Sequence, residues 1–372
     1  MKVLILYASA GQGHKKAAEA IHRWLAAHRP EADVRFVDVL EYSSGLLRFS
    51  YIQAYDFMVR RAQWLWSAVF YATSPRLPLG LSRFFNDLLN RFTAPRLEAL
   101  IRAEAAELVI STHFLPSQIA ACLKREKKIS SYLTTVVTDF GVHPFWEAKG
   151  TDLYCVASES TRRQLLKLGA PPESIRVTGI PVDPVYTQPV DKIALRRKLG
   201  IPEDAFTVLL VTGSFGIGPL EEIAGFLHLD CHILVVCARN KPLFERLRGL
   251  AIPNVTVYGF VNNMHELMAA SDLAVTKPGG LSSSELLVIG TVPVFISAIP
   301  GQEAENVRAL AREGIGRYCR SPREVRDTVM DYKEHPEKLQ KVRDLIAKVR
   351  KPASVEEIDD AIRAGRPGPS PR

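Results

Sequence analysis

Short apolar runs recur along the chain, each closed by Gly, Ser, Pro, Asp or Asn and followed by an apolar pattern of helical spacing. In the first half, Val3 to Ala8, Leu108 to Thr112, Thr134 to Thr138, Tyr154 to Ser158 and Ile175 to Thr178 read as strands. In the second half the strands are Phe206 to Thr212, His232 to Cys237, Val255 to Phe260 and Asp272 to Lys277. Helices are expected at 14–28, 115–126 and 159–168, and beyond Cys319 at 322–334, 336–350 and 354–364. Strands that alternate with helices build parallel sheets covered by those helices. The fold class is therefore α/β.

A chain of 372 residues is too long for one ordinary core and implies two domains. Gly179-Ile180-Pro181-Val182-Asp183-Pro184 is a rigid, non-helical connection, which places the interdomain linker at about 180–200. The expected layout is a first domain over 1–185, a second over 186–350, a terminal helix over 351–364 kinked near Pro352, and a disordered tail over 365–372.

Composition narrows the class. Hydrophobic content of 47% with 24% charged residues is that of a soluble globular protein. The net charge of +8 favours anionic partners, whether nucleotide, nucleic acid or acidic lipid, without choosing among them. Five cysteines, with no Cys-x-x-Cys and no nearby His cluster, indicate neither a disulfide framework nor a zinc site, so a reducing cytoplasm is expected. Met1-Lys2 runs straight into the first strand, which argues against a signal peptide. The longest uncharged run, Leu286 to Gln302, is broken by Gly290, Pro293 and Pro300 and is too short to span a bilayer. Any membrane contact is expected to be peripheral.

Between Tyr42 and Phe92 the composition changes, with twelve of the thirty-one aromatic residues falling in this stretch. Phe49, Ile52, Tyr55, Val59, Ala62, Trp66 and Val69 repeat at helical spacing. Arg60, Arg61, Trp64 and Trp66 together suit an anionic membrane surface; the alternative is a pair of buried helices with the arginines as a solvated face. Neither an RNP motif nor a Gly-x-x-Gly placed as in a KH domain is present, so nucleic acid is not an expected partner.

Two turns carry candidate chemistry. Ser9-Ala10-Gly11-Gln12-Gly13 joins the first strand to a helix whose first turn holds His14 and Lys15. It lacks the third glycine of a dinucleotide fingerprint and the Gly-Lys-Ser/Thr of a P-loop. His14 is either a histidine bonded to backbone or a general base kept neutral by the positive helix end. The second turn, Lys277-Pro278-Gly279-Gly280, precedes Ser282, Ser283, Ser284 and Glu285. Free backbone N–H groups at such a helix start suit a phosphate, and Glu285 suits the hydroxyls of a ribose; the alternative is a plain turn with a capping box.

The stretch from Val257 to Asn306 resembles the donor-sugar signature of GT-B glycosyltransferases, in the family of monogalactosyldiacylglycerol synthases, processive diacylglycerol glucosyltransferases and the peptidoglycan N-acetylglucosaminyltransferase. The resemblance implies two Rossmann-like domains facing a cleft, with the terminal helix crossing back to the first. It implies that Glu285 binds the ribose of UDP and that Gly301, Gln302 and Glu303 contact the hexose, with Asn306 beside them. Gly213-Ser214-Phe215-Gly216 is similar to the family's diphosphate loop, and Phe260-Val261 to its uracil-binding segment. Ala238-Arg239-Asn240 looks like the family's Gly-Arg-Asn with Ala in place of Gly, leaving Arg239 to face a phosphate.

Ser9 to Ile21, with Gly11, Gly13 and His14, looks like the family's N-terminal motif, where the matching histidine is a proposed base. Asp139-Phe140-Gly141-Val142-His143-Pro144-Phe145-Trp146 resembles its acceptor-side TD-x-x-x-HP-x-W segment. Asp139 is then a second base or the group that orients His14; read without the resemblance it is equally an Asx-turn or a helix cap, and His143 a loop residue.

Together these imply an inverting transferase that moves glucose or galactose from a UDP-sugar to diacylglycerol, at the inner face of the cell membrane. No Asp-x-Asp stands at a strand end in the donor half, so no metal and no cofactor is expected. The alternatives are a polyprenyl-linked or other amphipathic acceptor, or a nucleotide-sugar-binding regulator without catalysis. The sequence does not specify an oligomeric state.

Overall fold

The computed structural model describes residues 1–9, 11–42, 95–299 and 301–366. Arg60, Arg61, Trp64 and Trp66, and the tail from 367 onward, lie outside the described residues. The chain forms two units. One gathers the residues up to Asp183 with Ile299–Glu305 and those from Ala353 onward; the other holds Pro184–Ala298 and Asn306–Pro352.

The first unit is built from β1 (Lys2–Tyr7), α1 (Gln12–His28), β2 (Asp33–Asp38), α2 (Pro95–Glu104), β3 (Leu108–Ser111), α3 (Phe114–Arg125), β4 (Tyr132–Val136), β5 (Leu153–Val156), α4 (Glu159–Lys167) and β6 (Ile175–Val177). Its sheet runs β2-β1-β3-β4-β5-β6, every pair parallel. Central strands lie under helices on both faces, so β1 and β3 are buried at nearly every position and read as unbroken apolar runs. The edge strand β2, Asp-Val-Arg-Phe-Val-Asp, alternates with charge, and the apolar pattern does not reveal it. Ala17, Ala18, Ala20, Ile21 and Leu25 form the buried face of α1, and Ala18, Ile21 and Leu25 pack with Val3, Ile5, Leu108 and Ile110.

The second unit follows the same logic with α5 (Lys192–Leu199), β7 (Thr207–Val211), α6 (Leu220–Leu227), β8 (His232–Val236), α7 (Lys241–Leu250), β9 (Val255–Tyr258), α8 (Met264–Ala270), β10 (Leu273–Thr276), α9 (Gly280–Ile289), β11 (Val292–Ile296), α10 (Gln302–Arg312), β12 (Arg317–Cys319), α11 (Pro322–Glu334) and α12 (Pro336–Val349). The residues of α10 up to Glu305 count with the first unit. The sheet order is β12-β11-β10-β7-β8-β9, again all parallel. Helix α5 falls within the stretch read as a linker. It is anchored at its inner end by Asp272, whose carboxylate accepts from Lys192 Nζ at 2.7 Å, Arg196 Nη2 at 2.8 Å and the Thr207 amide at 2.9 Å. Burial opposes the charge of Asp272, yet Lys192, Thr207 and Arg196 outweigh it and hold the carboxyl below the usual range.

The last helix, α13 (Ser354–Gly365), belongs to the first unit. Val355, Ile358 and Ile362 are buried in the same cluster as Val3, Ile5 and Ile21. Asp359 takes Arg29 Nη2 at 2.6 Å just beyond the end of α1. The return of the terminal helix to the first sheet agrees with the fold that the resemblance implied. Among the described residues no helix is long and apolar enough to cross a membrane.

Candidate active site

Helix α1 starts with Gly11 as N-cap, in an extended conformation and without a side-chain cap. That puts His14 in the first turn, against the ends of β3 and β4. His14 Nδ1 lies 2.9 Å from the Thr112 carbonyl oxygen and 2.7 Å from Thr138 Oγ1. A carbonyl can only accept, so Nδ1 carries the hydrogen and Nε2 keeps its lone pair. Thr112 Oγ1 donates to the His14 carbonyl at 2.9 Å, closing a two-way clasp on the helix start. Burial lowers the His14 pKa; the charge of Asp139 and the Thr112 carbonyl oppose this but do not reverse it. The imidazole is neutral at neutral pH and can accept a proton on Nε2.

His113 completes this corner, two residues beyond β3. It caps α3, its Nδ1 accepting from the Leu115 amide at 3.1 Å, so its hydrogen sits on Nε2. Its ring stands edge-on to His14 at 4.7 Å. Burial, and then the neighbouring His14, hold the His113 pKa well below the ordinary value. Trp146 lies 6.3 Å from His14, and Phe114 stands edge-on to that tryptophan at 6.0 Å, forming an apolar wall. Ser-Thr-His directly after Leu-Val-Ile was the signal that could have marked His113.

Asp139, one residue beyond Thr138, is buried, and both its oxygens accept from Gln302 Nε2, at 2.8 and 2.7 Å. His143 caps the short turn Pro144–Trp146, its Nδ1 accepting from the Phe145 amide at 3.3 Å. Glu303 Oε2 accepts from the Ile299 amide at 2.7 Å, which closes the turn ahead of Gln302. The first unit thus brings His14, Asp139 and Gln302 into one hydrogen-bonded and electrostatic group.

The second unit presents backbone instead. Gly213, Gly216 and Gly218 all have positive φ. At Gly216 an added Cβ would lie 2.2 Å from the Cys237 carbonyl oxygen, so only glycine fits. Asn240 Nδ2 donates to Gly216 O at 3.0 Å and the Arg239 amide to Ser214 O at 3.3 Å, which pins the loop to the turn after β8. Ala238, where the family pattern has Gly, has φ of 50°. The Arg239 side chain is exposed.

Helix α9 begins at Gly280 with Gly279 as N-cap and no side-chain cap, so the alternative of a capping box is not formed. Its first turn has no side-chain cap, an arrangement that suits an anion. The Ser283 hydroxyl, in the same turn, is buried and has no hydrogen-bond partner among the described residues. Ser282 is half-buried, Glu285 lies one turn further on and is buried, and Lys277 is half-buried just beyond β10. Asn306 Nδ2 donates to Pro278 O at 3.0 Å and fixes the Pro-Gly-Gly turn. Phe260, just past β9, is 64% exposed, and Val261 beside it is half-buried.

Two all-parallel α/β units in this order define a GT-B fold. MurG of Acinetobacter baumannii superposes with a TM-score of 0.62 over 98% of this chain and 99% of that one, at 14% identity. HepE of Anabaena, solved with UDP-glucose, gives 0.56 over 98% of this chain and all of that one, at 16% identity. A family model described as monogalactosyldiacylglycerol (MGDG) synthase matches residues 14–182, and one described as glycosyltransferase family 28 C-terminal domain matches 220–358. A probable monogalactosyldiacylglycerol synthase 2 of rice is 32% identical, over 96% of this chain and 79% of that protein. The chain belongs to the monogalactosyldiacylglycerol synthase family. It spans 64% of the length of the first curated relative, a probable monogalactosyldiacylglycerol synthase of Nicotiana tabacum that is 33% identical over 89% of this chain.

Proposed function

We propose that the chain transfers glucose or galactose from a UDP-sugar to diacylglycerol with inversion at the anomeric carbon. The observation that carries this is the committed Nδ1 of His14, which leaves Nε2 as a neutral base in a chain of this family. Naming of relatives supports the acceptor: the rice relative is named a synthase of monogalactosyldiacylglycerol, and a Bacillus cereus relative, 27% identical over 98% of this chain and 93% of that protein, a processive diacylglycerol beta-glucosyltransferase.

His14 Nε2 takes the proton of the acceptor hydroxyl as its oxygen attacks the anomeric carbon from the face opposite the diphosphate. The bond from that carbon to the phosphate oxygen breaks, and UDP leaves. Amides of the 213–218 and 279–284 turns, with Lys277 and Arg239, stabilise the departing diphosphate. In this reading no metal is required. Glu285 takes the ribose hydroxyls, Phe260 and Val261 face the uracil, and Glu303 and Asn306 the sugar. Arg60, Arg61, Trp64 and Trp66 hold the enzyme on an anionic surface at the inner face of the cell membrane.

The test is UDP release with UDP-glucose or UDP-galactose, diacylglycerol in anionic vesicles and EDTA, followed by lipid analysis. A glycosyldiacylglycerol from one donor establishes the donor, the acceptor and metal independence. UDP binding without a lipid product would remove diacylglycerol as the acceptor, and activity restored only by Mg²⁺ would remove the metal-free account.

A further inference from the structure

We propose that Gln302 is a positioning residue for the base: its carboxamide holds the Asp139 carboxylate in place beside His14. This rests on the proposed role of His14 in proton transfer. A carboxylate can only accept, so the amide nitrogen of Gln302 faces Asp139, and it reaches both oxygens at 2.8 and 2.7 Å. Asp139 is 3% exposed, so its carboxylate depends on protein donors, of which the Gln302 amide is one.

The contact is built in from both sides. A Cβ added at Gly141 would lie 2.4 Å from Glu305 Cβ, so only glycine lets the first turn of α10 come so close to the Asp139–Gly141 loop. The bond from the Ile299 amide to Glu303 Oε2 fixes the turn that presents Gln302. On the other side, Thr138, next to Asp139, holds His14 Nδ1 through Oγ1 at 2.7 Å. Gln302 therefore acts on the base through Asp139. The Asp139 carboxylate favours the imidazolium that forms when His14 takes the acceptor's proton.

The test uses the full chain, Gln302→Leu, Asp139→Asn and the double variant. At saturating donor, Gln302→Leu is expected to lower kcat roughly tenfold, as misplacement of a catalytic group does. It also moves the acid limb of kcat/KM to lower pH, because a displaced Asp139 carboxylate no longer raises the His14 pKa. In the Asp139→Asn background the same change adds little. A side chain that only touched the sugar would instead raise the donor KM, leave the acid limb in place and give losses that multiply; that result overturns the proposal.

Melting temperatures of the four proteins test the contact without turnover. The double variant should lose less than the sum of the single losses, and additive losses overturn it. If the parent makes no glycolipid, the functional reading falls while the melting cycle still decides the Gln302–Asp139 contact.

Discussion

The His14 corner and the Gly216 loop solve opposite problems with opposite means. Around His14, one carbonyl and several side chains do the work: the Thr112 carbonyl and Thr138 set a tautomer, Asp139 a charge, and Trp146 with Phe114 a wall. Around Gly216, the backbone does it, through positive φ, a close approach to Cys237 and carbonyls tied down by the Arg239-Asn240 turn. In the proposed reaction a proton moves at the first site, which needs one group with a matched pKa. In the same proposal a diphosphate is held at the second, which needs several amides facing one way. The first site should therefore be sensitive to the chemistry of a side chain, and the second to the presence of any side chain at all.

The sharpest way to break this contrast is His14→Ala. It is expected to lower kcat by about 10²- to 10⁴-fold, the usual contribution of a general base, while UDP binding by calorimetry stays at the parental value. Lost UDP binding would show that the two sites are not separable in this way.

Gly216→Ala comes next. The added methyl meets the Cys237 carbonyl oxygen in a left-handed conformation, so the loop must shift at a cost of about 1–3 kcal/mol. UDP affinity should fall roughly tenfold or more, since each 1.4 kcal/mol is a factor of ten. Unchanged affinity would remove the loop from the nucleotide site.

The pH profile sharpens the first half of the comparison. Burial keeps the His14 pKa below its ordinary value, so kcat/KM should hold from neutral pH down to about 6.5 and fall only below it. Stability moves the same way. The folded pKa of His113 is depressed, so its contribution is present above the unfolded value of about 6.5 and is lost as pH falls and the unfolded chain takes the proton. Thermal melts between pH 5 and 8 would show it, and an activity limb centred above 6.5 would count against His14 as the neutral base.

The smallest effect belongs to Ala238→Gly. Ala238 sits at φ of 50°, a conformation that costs a side-chain-bearing residue more than glycine. The change should stabilise the protein by about 0.5–1 kcal/mol, after the greater unfolded-state entropy of glycine is deducted. A lowered melting temperature would mean that the Ala238 methyl packs usefully.

Periodicity alone located most strands, the helices after Cys319 and the placement of His14 in the first turn of a helix. It could do so because a parallel strand under two layers of helix must be apolar on both faces, and because turns must carry Gly, Pro, Asn or Asp. Edge strand β2 escaped for the same reason: with less to bury, it carries Asp33, Arg35 and Asp38. The glycines of the 213–218 loop were visible as letters, but a flexible loop has the same letters. Only the Cys237 carbonyl beside Gly216 tells the two apart.

The sequence by itself determined the order of βα units and which residues stand in the turns that follow the strands, since those depend on local periodicity and turn chemistry. The tertiary structure decided which partners those residues meet. Thr112 lies 98 positions from His14, Gln302 lies 163 from Asp139, and Asp359 lies 330 from Arg29. An apolar stripe specifies that a face is buried, and a polar residue only that it needs a partner. Which helix or which carbonyl arrives there is settled when distant segments pack. The tautomer of His14 and the amide on Asp139 follow from that packing.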